Sequence, residues 1–380
     1  MRSENRVLWL FFLISALPSR AGEKQTSESI AYPPPESKGG WQSLLPANGF
    51  PDAAEKAKIR SRAGVDWDKL ASAWQYNAGP DGATALIVIR RGLVVGEWYK
   101  DCNRDKMFNI YSSSKGYTSA AFGMLLADSE AGKLPGGKKL TLDTKVCTEE
   151  WLPEALPLSD PRKANITLRH LLTMTSGVGG ERLPGETPFA AAMGKVADSP
   201  LAKLKGEPGT VFNYSDGNIL HLVLLFRRAA GRDLLAYLQE RLFKVIGIEK
   251  VSWVQIGEKG VGPLSQGFSG LHTTARDHAR FCYLALHKGV WEGKPVVPAN
   301  YYDFAWTGTK PKPDYGALWW VWPHHPDAPK DLVQTAGALN NHGYVVPSLD
   351  LVFVRLGNGN KYPNQFEQEL VKKVIAAIEK

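Results

Sequence analysis

A lysine three residues after a serine is the first place in this 380-residue chain where side chains could do chemistry together. The stretch NIYSSSKGYTSAAFGMLL, Asn109 to Leu126, sets Ser112, Ser113 and Ser114 ahead of Lys115. Residues three apart share a helix face, whereas residues one or two apart do not, so Ser112 is the partner of Lys115. A serine hydroxyl is a poor nucleophile until a nearby base takes its proton. Lysine serves as that base when burial or a neighbouring positive charge disfavours its ammonium form. Taken alone, S-x-x-K is a weak pattern, and serine also starts ordinary helices. The continuation AAFGMLLA is apolar enough to be buried, which places Lys115 near an interior.

A second element stands in GEPGTVFNYSDGN, residues 206–218. A loop tyrosine there, Tyr214, brings a phenolic oxygen to the serine and lysine and exchanges protons with a leaving group. Without the first motif it reads as a turn or core tyrosine. Asp216 either orients Lys115 electrostatically or caps the following run ILHLVLLFRRAAG.

The elements that must position these residues follow from composition and periodicity. With 43% apolar and 22% charged residues the chain is ordinary globular material, able to bury one large core or two packed lobes. Residues 1–21 carry Arg2 and Arg6, an apolar run from Val7 to Leu17, then Ser19 and Ala21, the layout of a secretory signal cleaved after Ala21. Its removal lowers the formal charge from +8 to about +6, spread along the chain rather than in a nucleic-acid-binding block. Residues 22–60, with YPPPESKGG, read as an extended lead-in. Residues 65–78 carry Leu70, Ala73 and Trp74 on one helical face. Ala83–Tyr99 is a hairpin turning at Arg91-Gly92, and GYVVPS and LDLVFVRLG are two late strands that close with it into one antiparallel sheet. A helix from Gln365 to Lys380 covers that sheet, and residues 105–300 read as helices and long loops.

The expected class is mixed α/β in a single catalytic domain, 61–380. A sheet lobe, about 61–105 and 305–380, is built from both termini, and a mostly helical lobe, about 106–304, is inserted between them, with the site at their boundary. Cys102, Cys147 and Cys282 form no disulfide framework, though an oxidising compartment would permit one pair. His324 and His325 lack companions at metal-ligand spacing and read as surface.

Six segments, FNIYSSSK, ITLRHLLTMTSGV, PGTVFNYS, GLHTTARDHARF, YGALWW and VVPSLDLVFVR, come in the order expected of serine β-lactamase-like hydrolases. The chain resembles the superfamily of class C β-lactamases, DD-peptidases and esterases over roughly residues 60–378, and within it the esterase and 6-aminohexanoate-dimer hydrolase branches. The resemblance implies that Ser112 is acylated, that Lys115 accepts its proton, and that Tyr214 is the shared acid/base. Water then releases the acyl group, and no metal or organic cofactor is required.

Two departures matter. The family's Y-x-N is Tyr214-Ser215-Asp216 here, so a carboxylate that favours the ammonium form of Lys115 replaces an amide. Asn218 is offset by two residues and is no substitute. The K-T-G strand motif is absent from TAGALNNHGYVVPS, Thr335–Ser348, and Thr175-Ser176-Gly177 reads as a turn. Counting back from VVP places residues 337–341 beside the site. The backbone amides of Ser112 and Ala338 are the expected oxyanion hole, and Asn341 and His342 contact substrate or support the site. His170 and His272 read as structural. Of the 12 tryptophans, Trp306, Trp319, Trp320 and Trp322 are available to wall a pocket, although most tryptophans fill cores.

The reading is an exported, periplasmic or extracellular serine esterase or amidase acting on a small-molecule ester or amide, with no nucleic-acid partner and no stable membrane insertion after signal cleavage. The alternatives are a DD-peptidase or β-lactamase, and a penicillin-binding-like protein that binds without turnover.

Overall fold

The computed structural model describes residues 32–180, 188–196, 198–257, 262–321 and 326–379. Two helices precede the first strand, α1 (Ala53–Ala63) and α2 (Trp67–Asn77). α1 opens on a reciprocal cap: the Asp52 carboxylate accepts from the Glu55 N–H and the Glu55 carboxylate from the Asp52 N–H, each at 2.8 Å. This helix falls largely within the stretch expected to be extended, residues 22–60. The cap and the helix-favouring Ala and Lys that follow override its Pro- and Gly-rich beginning.

β1 (Thr84–Arg90) and β2 (Leu93–Lys100) join through Arg91 and Gly92, whose φ values of 52° and 73° are the positive pair that a two-residue hairpin requires. The inserted region is organised by α3 (Ser114–Glu130), α4 (Asp216–Ala230) and α5 (Ala275–Leu286). It also holds a small sheet in which Phe108–Asn109 and Val251–Trp253 flank Leu271–Thr273. The reading of 105–300 as helix and loop lacked these strands, which are too short to show alternation.

β3 (Trp320–Val321), β4 (Val333–Gly337), β5 (Asn341–Val346), β6 (Leu351–Gly357) and α6 (Phe366–Ala376) complete the chain. The main sheet is antiparallel in the order β3-β4-β5-β6-β1-β2. β6 pairs with β1 from Gly357 opposite Thr84 to Leu351 opposite Arg90, so residues from both ends of the chain form its centre. α6 stops at Ala376, short of the expected Lys380. The Asp66 N–H donates to the Ala377 carbonyl at 2.9 Å and the Glu379 N–H to the Gly64 carbonyl at 2.8 Å, which draws the tail into the corner between α1 and α2.

Both faces of the sheet are covered, and every residue of β1 is buried. On the outer face Leu86, Val88, Tyr344 and Phe353 meet Leu70 of α2 and Leu370 and Val374 of α6. On the inner face Ile87, Val345 and Val354 meet Tyr117 of α3 and Phe281 and Cys282 of α5.

The segment before α1 is stapled to α5 by two buried arginines. Arg280 donates to the Pro33 carbonyl at 2.8 Å, to the Pro34 carbonyl at 2.6 Å and to Glu36 at 2.8 Å. Arg276 bridges Glu36 and Glu97, each at 2.6 Å. Cys102, Cys147 and Cys282 are all free thiols. Among the described residues no helix is long and apolar enough to cross a membrane. The expected signal, residues 1–21, and Trp322, His324 and His325 lie outside the described residues.

Burial pushes the Asp277 carboxyl of α5 up to about 6, even though the Lys250 N–H donates to it. The folded chain therefore holds this proton to higher pH than the unfolded chain, and the group costs stability as pH rises from about 4 to about 6. Asp277→Asn removes that cost. Urea denaturation at pH 4 and pH 7 should show the variant gaining up to roughly 3 kcal/mol relative to the parent over that interval.

Candidate active site

The run into α3 is fixed from both sides. The Ile110 N–H donates to the Leu271 carbonyl at 2.9 Å, and Asn109 Oδ1 accepts from the Tyr111 N–H at 2.8 Å. Tyr111 has a φ of 48°, so the chain turns sharply through a left-handed residue just before Ser112. The three serines then separate by function. Ser113 Oγ donates to the Asn341 carbonyl at 2.5 Å, and Ser114 Oγ donates to the Tyr111 carbonyl at 2.6 Å. Ser112 alone turns to Lys115, whose Nζ lies 3.1 Å from Ser112 Oγ.

Lys115 is buried, only 2% exposed, and its three ammonium hydrogens have three acceptors. These are Ser112 Oγ at 3.1 Å, Asp216 Oδ1 at 3.1 Å and the Phe268 carbonyl at 2.9 Å. Asp216 is the first residue of α4, and Ser215 caps that helix by accepting from the Gly217 N–H at 3.0 Å. Asp216 is thus left to orient the lysine. Phe268 is presented by a tight turn at Gly267, φ 71°, whose carbonyl accepts from Thr118 Oγ1 at 2.8 Å. A side chain at Gly267 would put Cβ 2.4 Å from Val223, so only glycine fits there.

Tyr214 presents its ring to the ammonium, with Lys115 Nζ 4.8 Å from the ring centroid. Among the described residues no hydrogen bond joins its hydroxyl to Ser112 or Lys115. The ring stacks on Trp320 at 6.1 Å and meets the edge of Tyr315 at 5.9 Å, and Phe212 packs on Tyr315 at 5.1 Å. Burial, reinforced by Tyr214 and Asp216, holds the Tyr315 phenol well above its ordinary range, so it stays neutral.

The opposite wall is the β4–β5 hairpin. A Cβ on Gly337 would lie 2.1 Å from the Ile110 carbonyl oxygen, so the strand end rests directly on the serine turn. With the Ser113–Asn341 bond, this brackets exposed Ala338 against residues 110–113. Thr335 is buried: its hydroxyl meets His278 Nε2 at 3.2 Å, and His278 Nδ1 meets the Tyr117 hydroxyl at 3.0 Å. Burial pulls His278 down to about 3, so the ring is neutral near physiological pH.

Two expected site residues are engaged by the protein's own groups. Asn341 spends its amide on the Ala338 carbonyl at 2.8 Å and on the Gly357 carbonyl and N–H at 2.9 and 2.8 Å. His342 points to the outer face, where Nδ1 meets the Tyr344 hydroxyl at 2.8 Å and Glu367 at 3.2 Å. It does not reach Ser112, because successive strand residues face opposite ways. Asn218 accepts from Ser176 Oγ and braces the turn at 175–177. His170 accepts from the Thr167 N–H at 3.2 Å and caps its own helix. The Phe268 carbonyl was not legible in the sequence, since a backbone acceptor leaves no side-chain signature.

Residues 76–377 match the family model for beta-lactamase. The chain belongs to the beta-lactamase family. It is 26% identical over 197 residues to a Bacillus subtilis (strain 168) protein named as penicillin-binding protein PbpX; the match spans 51% of this chain and 47% of that one, so about half of the relative is covered. Among solved structures, one described as a 6-aminohexanoate-dimer hydrolase from Bacillus anthracis superposes with TM-score 0.66 at 21% identity, covering 90% of this chain and 89% of that one. EstCE1, described as a hydrolase with promiscuous acyltransferase activity, superposes with TM-score 0.63 at 17% identity over 81% of this chain and 99% of that one. A penicillin-binding protein homologue from Caulobacter crescentus gives 0.60 at 13% identity over 82% and 97%. At these identities the superpositions establish the β-lactamase/penicillin-binding-protein fold.

The close approach at Gly337 is directly testable. Gly337→Ala should lift the hairpin off the serine turn, speed amide hydrogen exchange at residues 338–341, and cost about 1–3 kcal/mol in urea denaturation.

Proposed function

We propose that the protein is an exported serine hydrolase that cleaves esters or amides of uncharged acyl groups through an acyl-enzyme on Ser112. The observation that carries this reading is the buried Lys115 ammonium 3.1 Å from Ser112 Oγ, with Asp216 on its other side. Ser112 Oγ attacks the carbonyl carbon as its proton passes to Lys115, and the carbonyl electrons move onto oxygen. Lys115 accepts that proton only after releasing one of its own. The carboxylate of Asp216, 3.1 Å away and half exposed, is the adjacent acceptor with a route to solvent. The amides of Ser112 and Ala338 stabilise the oxyanion. Tyr214 supplies a proton to the departing alcohol or amine, its hydroxyl swinging from the present position beside Trp320. Water then attacks the acyl carbon, giving a proton to the Tyr214 oxygen, and Lys115 returns its proton to Ser112 Oγ as the acyl C–Oγ bond breaks.

The preference for uncharged acyl groups rests on the walls. The hairpin residues that rest beside the serine turn, Gly337 and Ala338, carry no cation to bind a substrate carboxylate. Tyr214 and Trp320 offer flat apolar surface, backed by buried Tyr315.

The test is intact mass and turnover with p-nitrophenyl acetate and, separately, a penicillin. Ester turnover abolished in Ser112→Ala, with little penicillin turnover, is the expected result. Rapid penicillin acylation of Ser112 would favour a peptidoglycan or β-lactam substrate instead, and the absence of any Ser112-dependent reaction would sink the ester reading.

Asp216 yields a second prediction. Asp216→Asn removes the carboxylate that Lys115 Nζ contacts at 3.1 Å and should lower kcat/KM for p-nitrophenyl acetate by on the order of tenfold. An unchanged kcat/KM would show that Asp216 takes no part in the proton transfer.

A further inference from the structure

The hairpin that carries Ala338 is strained. Leu339 and Asn340 have φ values of 59° and 57°, the left-handed region that L residues resist, and leucine has no polar side chain to compensate for it locally. What holds those residues there lies behind the site. Arg355 of β6 is 1% exposed, and its Nη1 donates to the Leu339 carbonyl at 2.6 Å and to the Asn340 carbonyl at 3.3 Å. Its Nε donates to Asn77 Oδ1 at 3.1 Å. The Tyr362 hydroxyl donates to the same Leu339 carbonyl at 2.9 Å.

This arginine is unusual for a buried cation. Among the described residues all of its hydrogen bonds go to neutral acceptors, its Nη2 has no partner, and its charge otherwise faces the rings of Tyr362 at 5.1 Å and Phe366 at 5.6 Å. A buried guanidinium without a carboxylate is costly. Here its charge-assisted bonds fall on the two residues that follow Ala338. A side chain at Gly357 would place Cβ 2.7 Å from Nη2, so the fold keeps the space the guanidinium needs. Arg355 stands on the outer face with Phe353 and reaches the hairpin from behind.

We propose that Arg355 is a positioning residue for the Ala338 amide, acting through the carbonyls of Leu339 and Asn340. This rests on the reading of Ser112 and Ala338 as the oxyanion site. Arg355 and Tyr362 clamp the far side of the strained link while Asn341 clamps the Ala338 carbonyl, so the N–H of Ala338 is aimed before substrate arrives. Loosening the clamp weakens binding of the tetrahedral species while leaving ground-state binding intact.

The experiment compares Arg355→Lys and Tyr362→Phe with the parent, using p-nitrophenyl acetate turnover and inhibition by phenylboronic acid, whose tetrahedral adduct on a serine carries the negative charge. Expected for Arg355→Lys is a kcat lower by on the order of tenfold with KM within about twofold, and boronate affinity reduced by the same factor as kcat. Tyr362→Phe should give a smaller loss of the same kind. Because removing the guanidinium risks unfolding, Tyr362→Phe decides the matter if Arg355→Lys has lost its thermal transition. Unchanged kcat in the folded variants, or a rise in KM with kcat intact, overturns the role of Arg355. Parent turnover that survives Ser112→Ala overturns the underlying reading instead, so the two failures are distinguishable.

Discussion

The arrangement turns on one buried ammonium. Lys115 comes from α3, and its acceptors come from the turn before that helix, from the start of α4 and from the loop at Phe268, segments far apart in sequence. An interior cation is tolerated only when its hydrogens are satisfied, so the need to hold Lys115 draws these segments to one point. The aromatic rings of Tyr214 and Phe268 close over it at 4.8 and 5.8 Å, adding attraction to the charge while excluding water. The same contacts that make Lys115 tolerable leave Ser112 Oγ beside it.

The two walls of the cleft store backbone strain in matching places. Tyr111 precedes the serine and Leu339 follows Ala338, and both take positive φ. Strain of this kind persists only where the surroundings over-determine it. On the serine side the determinants are Asn109, Leu271 and the two serines that point away from the cleft. On the hairpin side they are Asn341, Arg355 and Tyr362. The walls touch at Gly337, where the missing side chain lets the strand end rest on the Ile110 carbonyl.

Behind these walls the polar network of Tyr117, His278 and Thr335 ties α3, α5 and β4 together in the inner core. α5 is in turn anchored through Arg276 and Arg280 to the segment before α1 and to β2. The site is thus braced through two layers: apolar packing sets the spacing of helices and sheet, and buried polar bonds set the register between them.

Much of this was legible before folding. Helical geometry alone paired Ser112 rather than Ser113 or Ser114 with Lys115, because the rule involves only residues three apart. The β1–β2 hairpin, the late strands and α6 followed from local apolar runs and turn chemistry, and the capping pair Asp52 and Glu55 stood in plain view within a stretch read as extended. What the sequence left open were quantities set by non-local pairing. Which face Asn341 and His342 occupy depends on strand register, which only the pairing of β5 with β4 and β6 decides, and a shift of one residue exchanges them. Whether Tyr214 offers its hydroxyl or its ring, that a backbone carbonyl completes the shell of Lys115, and that Arg355 reaches the hairpin from behind are likewise matters of tertiary structure. Each joins groups that share no local periodicity, and the packing of three layers brings them within a few ångströms.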